Sequence, residues 1–139
     1  MAYATQQDME DRYGHDALLM VADRDNDGEI DTEVVVRALS DATAEIDPYL
    51  ASRYSMPLAE VPDLLVRLCV DIAFYRLSGD ADTYTEEKRQ RYEDTVSLLS
   101  RIASGKVSLG LATPPPSVGG GVVISGPVRL FSRDTMGGL

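Results

Sequence analysis

Among its 139 residues the sequence has one cysteine, one histidine, no tryptophan and two phenylalanines. A lone Cys69 excludes an internal disulfide and any multi-cysteine zinc site. It lies within LVRLCVDIA, where a thiol among aliphatic neighbours reads as a buried, inert side chain. His15 by itself cannot supply a pair of imidazole ligands, and nothing in the sequence joins it to a nucleophile. Beside Asp16 in the first turn of a helix, it reads as a surface residue. With so few large aromatics, a core must rest on Leu, Val, Ile, Ala and the seven Tyr. No run of about 18 uncharged apolar residues is present, so no membrane span is expected. The opening MAYATQQDMED lacks the pattern of a signal peptide. These absences point to a soluble protein kept in a reducing cytoplasm.

Basic charge is scarce as well. The formal net charge is −10, and residues 1–47 carry all of it, with thirteen carboxylates against Arg12, Arg24 and Arg37. Such a surface is unsuited to gripping nucleic acid or an anionic membrane. Phosphate-loop chemistry is missing too: GGGVVISG has no lysine and Ser/Thr pair, and SGKVS at 104–108 has no upstream glycine. Paired carboxylates are plentiful, but no cleft signature turns two of them into an acid and a base. The expectation is a protein without enzymatic activity or cofactor.

What the sequence does have is an acidic loop, DRDNDGEIDTEV, at residues 23–34. Asp23, Asp25 and Asp27 alternate, Gly28 follows, and Ile30 comes two further on, which is the first half of an EF-hand calcium loop. The second half fails. Counting Asp23 as position 1, the bidentate Glu should be residue 34, which is Val34. Glu33 comes one residue early, turned about 100° away on a helix. Asp23, Asp25, Asp27 and Asp31 are therefore only weak metal candidates, and no metal is favoured. An exposed Asp/Asn/Gly turn followed by an acidic helix N-terminus accounts for most of these acids.

The rest reads as helix. Thr5 can cap a short helix that stops at Gly14, and a second short helix, HDALLMVAD, leads into the acidic loop. Asp31 is placed to cap a longer helix whose stripe is Val35, Leu39, Ala42, Ile46 and Tyr49/Leu50. Asp47-Pro48 should either kink it or start a fresh segment. DLLVRLCVDIAFYRL is apolar on most sides, with Asp63, Arg67 and Asp71 as one polar seam, and is expected to be the central helix. After the loop SGDADTYT, Thr83 and Glu86 have capping-box spacing, and a last helix with Tyr92, Val96, Leu99 and Ile102/Ala103 inward should stop at Gly105. The predicted fold is all-α: a bundle of four to five helices around a central apolar helix, in a domain spanning 1–111. Residues 112–139 hold four of the seven prolines together with the strand-forming runs VVIS and VRLFS. They read as an extended C-terminal arm that docks on another protein, with Val122, Val123, Ile124, Val128, Leu130, Phe131 and Arg133 as its contact residues.

Long blocks of the chain resemble one family: MAYATQQDMEDRYG, ALSDATAEIDPYLASRYSMPL, VPDLLVRLCVDIAFYRL, RYEDTVSLLSRIASGKVSLGL and the terminal FSRDTMGGL. They are similar to the head-tail connector (adaptor) proteins of Mu-like bacteriophages and prophages. The Asp47-Pro48 pair departs from the family's pattern there. The resemblance implies a structural virion protein of the head-tail neck, assembled in the bacterial host cytoplasm. It implies a ring of about twelve copies beneath the portal protein, bridging it to the next neck or tail-completion protein while DNA passes through the lumen unbound. The runner-up class is a small calcium-dependent interaction module that uses the 23–34 loop.

Overall fold

The computed structural model describes residues 2–111. Five helices follow one another: α1 (Gln6–Tyr13), α2 (His15–Ala22), α3 (Thr32–Ala51), α4 (Asp63–Asp80) and α5 (Glu86–Ala103). Helix accounts for 65% of the described residues, and no strand occurs among them. The all-α expectation holds.

The helix ends follow from local chemistry. Thr5 and Asp8 form a reciprocal capping box, which satisfies two N–H groups that the first turn leaves free. Gly14 ends α1 and begins α2 at φ +93°, a left-handed value that a side chain would strain. Its N–H closes α1 on the Glu10 carbonyl at 2.8 Å. Thr85, not Thr83, caps α5, accepting the Lys88 N–H at 3.1 Å. Thr83 instead folds back on α4, where its N–H reaches the Ser78 carbonyl at 2.8 Å. With lysine at the third helical position, only half of a capping box forms. At the other end of α5 the Gly105 and Lys106 N–H groups bond the Ile102 and Arg101 carbonyls, a Schellman closure.

Helix α3 runs through Pro48 to Ala51 and is not divided there. The ring removes one donor, and the carbonyl four residues back belongs to exposed Ala44, where water can replace it. Asp47 caps no new segment. Its carboxylate instead accepts a short hydrogen bond from the Tyr3 hydroxyl, strapping the N-terminus across α3. The expected α3 stripe is buried, joined by Ala38 and Thr43.

Helix α4 packs against α1, α2, α3 and α5, and ten of its eighteen residues are buried. Each aliphatic side chain so enclosed contributes about 1.5–3 kcal/mol. On α5 the buried positions are Thr95, Leu99 and Ile102, so Thr95 takes the inward place expected of Val96. Its hydroxyl is satisfied by the Arg91 carbonyl at 3.0 Å. Cys69 is enclosed as expected, its sulfur 3.6 Å from the Thr43 hydroxyl, and burial pushes its thiol pKa up.

The polar seam of α4 is not a seam. Asp63 and Arg67 are exposed, but Asp71 is only 5% exposed. It accepts from Arg12 Nε at 2.9 Å and from the Tyr13 hydroxyl at 2.7 Å. The Tyr13 ring stacks on Phe74 with centroids 4.0 Å apart, and the Arg91 guanidinium lies 5.3 Å from its centre. Burial, and then the hydrogen bond to Asp71, push the Tyr13 phenol up to about 12. Tyr92, half-buried and bonded to Glu45, is likewise raised to about 12 by desolvation and that hydrogen bond.

Replacing Asp71 with Ala strands Arg12 and the Tyr13 hydroxyl, and should cost about 2–4 kcal/mol in urea unfolding at an unchanged slope. The partial exposure of Arg12 holds the loss below that of a fully buried pair. Asp63→Ala on the same helix should change stability by less than about 0.5 kcal/mol. Alkali tests the tyrosines. Their folded pKa lies above the unfolded value, so their contribution is complete below pH about 10 and is lost as pH rises towards 12. Tyr13→Phe should be less stable at neutral pH by about 1 kcal/mol, and should show a shallower fall of melting temperature between those two pH values.

Candidate functional site

Helix α2 gives out at Ala22, and the chain turns through residues 23–31 before α3 begins. Short carboxylates shape this turn by accepting backbone N–H groups. The Asp23 carboxylate takes the N–H of Asp27 at 3.1 Å and of Gly28 at 3.0 Å, while Asp27 takes that of Glu29 at 2.9 Å. Asn26 (φ 59°) and Gly28 (φ 83°) supply the left-handed turns. One carboxylate oxygen from each of Asp23, Asp25 and Asp27 lies within 4.8 Å of the others. Slight desolvation works to raise the Asp23 carboxyl, but the N–H groups of Gly28 and Asp27 outweigh it and hold it below its ordinary value. Desolvation and the adjoining Asp27 push Asp25 the other way.

Asp31 does not join the three. Its carboxylate accepts the Arg24 N–H at 2.7 Å and its own N–H reaches the Ala22 carbonyl at 2.9 Å, closing the loop at its neck. It is the residue before α3, yet its side chain makes no capping hydrogen bond. Val34 stands where the bidentate ligand of a calcium loop would be and packs against the core, while Glu33 is exposed. Three carboxylates therefore converge without the ligand that would complete a calcium shell.

A second feature was not visible in the sequence. Where α3, α4 and the start of α5 meet, a groove of about 380 Å³ opens between Arg24, Arg37, Tyr75, Arg76, Tyr84 and Tyr92. Tyr75 stacks on Tyr92 with centroids 4.4 Å apart, and Tyr84 leans on Tyr75 at 5.2 Å. Gly79 makes this possible: a Cβ there would lie 2.7 Å from the Tyr84 ring carbon Cζ. Glu45 anchors one wall, accepting from the Tyr92 hydroxyl at 2.7 Å and pairing closely with Arg76. Arg24 reaches Asp80 at 3.7 Å, whereas exposed Arg37 forms no ion pair among the described residues. Tyr84 is 57% exposed. Tyrosine and arginine in a concave patch are the composition of protein-contact hot spots.

His15 is exposed and meets Glu10 at 2.9 Å, with no nucleophile beside it among the described residues. After α5 the chain folds back, and Leu109 donates its N–H to the Tyr54 hydroxyl at 3.0 Å. Val107, Leu109 and Leu111 rest against the core. The arm contacts expected at Val122, Val123, Ile124, Val128, Leu130, Phe131 and Arg133 lie outside the described residues. No helix among the described residues is long and apolar enough to cross a membrane.

Fold and surface together define a small acidic all-α protein whose distinctive exposed features are a carboxylate loop and a tyrosine–arginine groove. The family model "Bacteriophage Mu, Gp36" matches residues 3–125, and the chain belongs to that family. It is 36% identical over 138 residues to the Mu-like prophage FluMu protein gp36 of Haemophilus influenzae, covering 98% of this chain and 96% of the relative. It is 38% identical over 112 residues to gene product J of Escherichia phage Mu, covering 80% and 78%. The resemblance drawn from the sequence blocks therefore holds at the level of a Mu-like phage or prophage protein.

Calcium titration tests the loop. With Val34 in place of the bidentate ligand, about 1 mM calcium should move the melting temperature by less than about 1 °C relative to chelator. A saturable rise at micromolar calcium would establish a loaded site.

Proposed function

We propose that the chain is a structural virion protein, a head-tail connector that forms a ring beneath the portal and bridges it to the next neck or tail-completion protein. The reading is carried by membership of the Mu family across residues 3–125, joined to the sequence blocks that resemble connector proteins. Two features of the molecule support it. The helical body ends in a segment pinned by Tyr54, beyond which 28 residues of apolar, strand-forming composition remain for contact with the portal. The acidic half suits a passage through which DNA slides without sticking, because like charges repel at short range. In this reading the copies surround the DNA without binding it specifically, and no cofactor takes part. A calcium-dependent interaction module is the second reading, favoured only by the convergence of Asp23, Asp25 and Asp27.

Electron microscopy of isolated portal rings, with and without added protein, tests the proposal. An extra symmetric layer should appear on one end of the portal and give the copy number directly. The chain truncated after Leu111 should keep its helical circular dichroism and add no layer. Bare portals with the full chain would remove the connector reading, and a full layer from the truncated chain would remove the arm from it.

A further inference from the structure

We propose that the tyrosine–arginine groove is a docking site for the proline run Pro114-Pro115-Pro116 of a neighbouring copy of this chain, so that successive subunits are tied by the root of the arm. The inference rests on the connector reading only in requiring a neighbouring copy.

The argument begins with what a proline run offers. Three consecutive prolines have φ fixed by their rings and favour the extended polyproline geometry. They present flat ring faces and carbonyl acceptors, and they have no N–H to donate. A surface that recognises them must therefore supply aromatic faces and hydrogen-bond donors together. The groove supplies both. The Tyr75 ring contacts both Tyr84 and Tyr92, with Tyr84 largely open to solvent. Arg37, beside them, forms no ion pair among the described residues, and Arg24 is held by Asp80 at 3.7 Å and by the Val21 carbonyl at 3.4 Å.

Geometry then separates the neighbour from the chain itself. Leu111 lines the same hollow as Tyr54, Pro57 and Leu58, in the connection that leads into α4 at Asp63. Tyr75 and Gly79 lie towards the far end of the same helix, roughly 18–24 Å along its axis at the helical rise. The three prolines sit three to five residues beyond Leu111, a reach of roughly 10–18 Å even when fully extended. Only the last proline at full extension comes level with the nearest ring, so the run as a whole cannot lie in its own groove and an adjacent subunit's is the one left to it. Three glycines at 119–121 follow after Ser117 and Val118, and the distal arm remains available for the portal.

Cysteine cross-linking tests this in the full chain. One preparation carries Asp41→Cys on the groove rim, leaving Arg37 in place, and another carries Ser117→Cys just after the proline run; native Cys69 is buried. The two are mixed under mild oxidation, both as concentrated protein and on portal rings. The expected product is a disulfide joining one chain of each kind, in excess of either homodimer. Tyr84→Ala on the first chain, or alanine at 114–116 on the second, should cut that product by about fivefold or more. Tyr84 is exposed, so its loss leaves the core intact. No mixed disulfide in either setting overturns the proposal, as does a mixed disulfide insensitive to both sets of changes. With both cysteines on one chain, an intrachain bond at high dilution overturns the assignment to a neighbour. A portal-bound layer without the cross-link would defeat this inference and leave the connector reading standing. A cross-link in concentrated protein with bare portals would do the reverse.

Discussion

A carboxylate buried in the middle of the central helix is the constraint from which the arrangement of this protein follows. Asp71 lies on α4 where four other helices close in, and an ion there without partners would cost several kcal/mol. Its partners come from one place, the end of α1, where Arg12 and Tyr13 converge on the two oxygens. That contact sets the height and rotation of α1 on the bundle. The turn at Gly14 can then only direct α2 back across α4, and α2 delivers the chain to the acidic loop. The position of the exposed carboxylates is thus a consequence of a buried one.

The groove has a comparable origin one to two turns further along α4. Helices α4 and α5 are joined by a short connection, and the missing Cβ of Gly79 lets Tyr84 fold over the end of α4. Tyr84 then meets Tyr75, which in turn meets Tyr92 one helix away. An alanine at position 79 would force this ring outward and open the cluster. Packing in the bundle stops at this edge, so three polar-tipped aromatics share a wall that neither helix fills.

How much of this could be read from sequence depended on the distance over which each feature is decided. The five helices and the central role of α4 were legible because apolar spacing and end signals are local patterns. Thr5 was legible as a cap because Asp8 stands three residues on. Thr83 misled because its spacing to Glu86 is correct while the connection diverts it to Ser78, and Asp71 misled because its partner lies fifty-nine residues away. Pro48 was read as a break because sequence does not show that the residue four back, Ala44, is exposed. The tyrosine cluster drew residues from two helices and a loop, and no spacing along the chain announces such a meeting. The family was legible because it resides in long blocks of residues, which need no folding to be compared.

The acidic loop carries the first half of a calcium pattern and also puts its oxygens to another use. The alternating aspartates of such a loop have two uses for their oxygens: they can ligate a cation, or they can accept the N–H groups of a tight turn. Here the second use accounts for the conformation. Asp23 holds two N–H groups, Asp27 holds another, and Asp31 closes the neck by taking that of Arg24. A loop organised this way reaches its shape from its own hydrogen bonds. The residue that would commit it to calcium has been given to packing instead, since Val34 belongs to the apolar side of α3. Substituting glutamate there would set ligation against burial, because the added carboxylate would have to leave the core to reach the other three. Helix α3 serves the bundle first, and the loop's carboxylates are what remains exposed once it does.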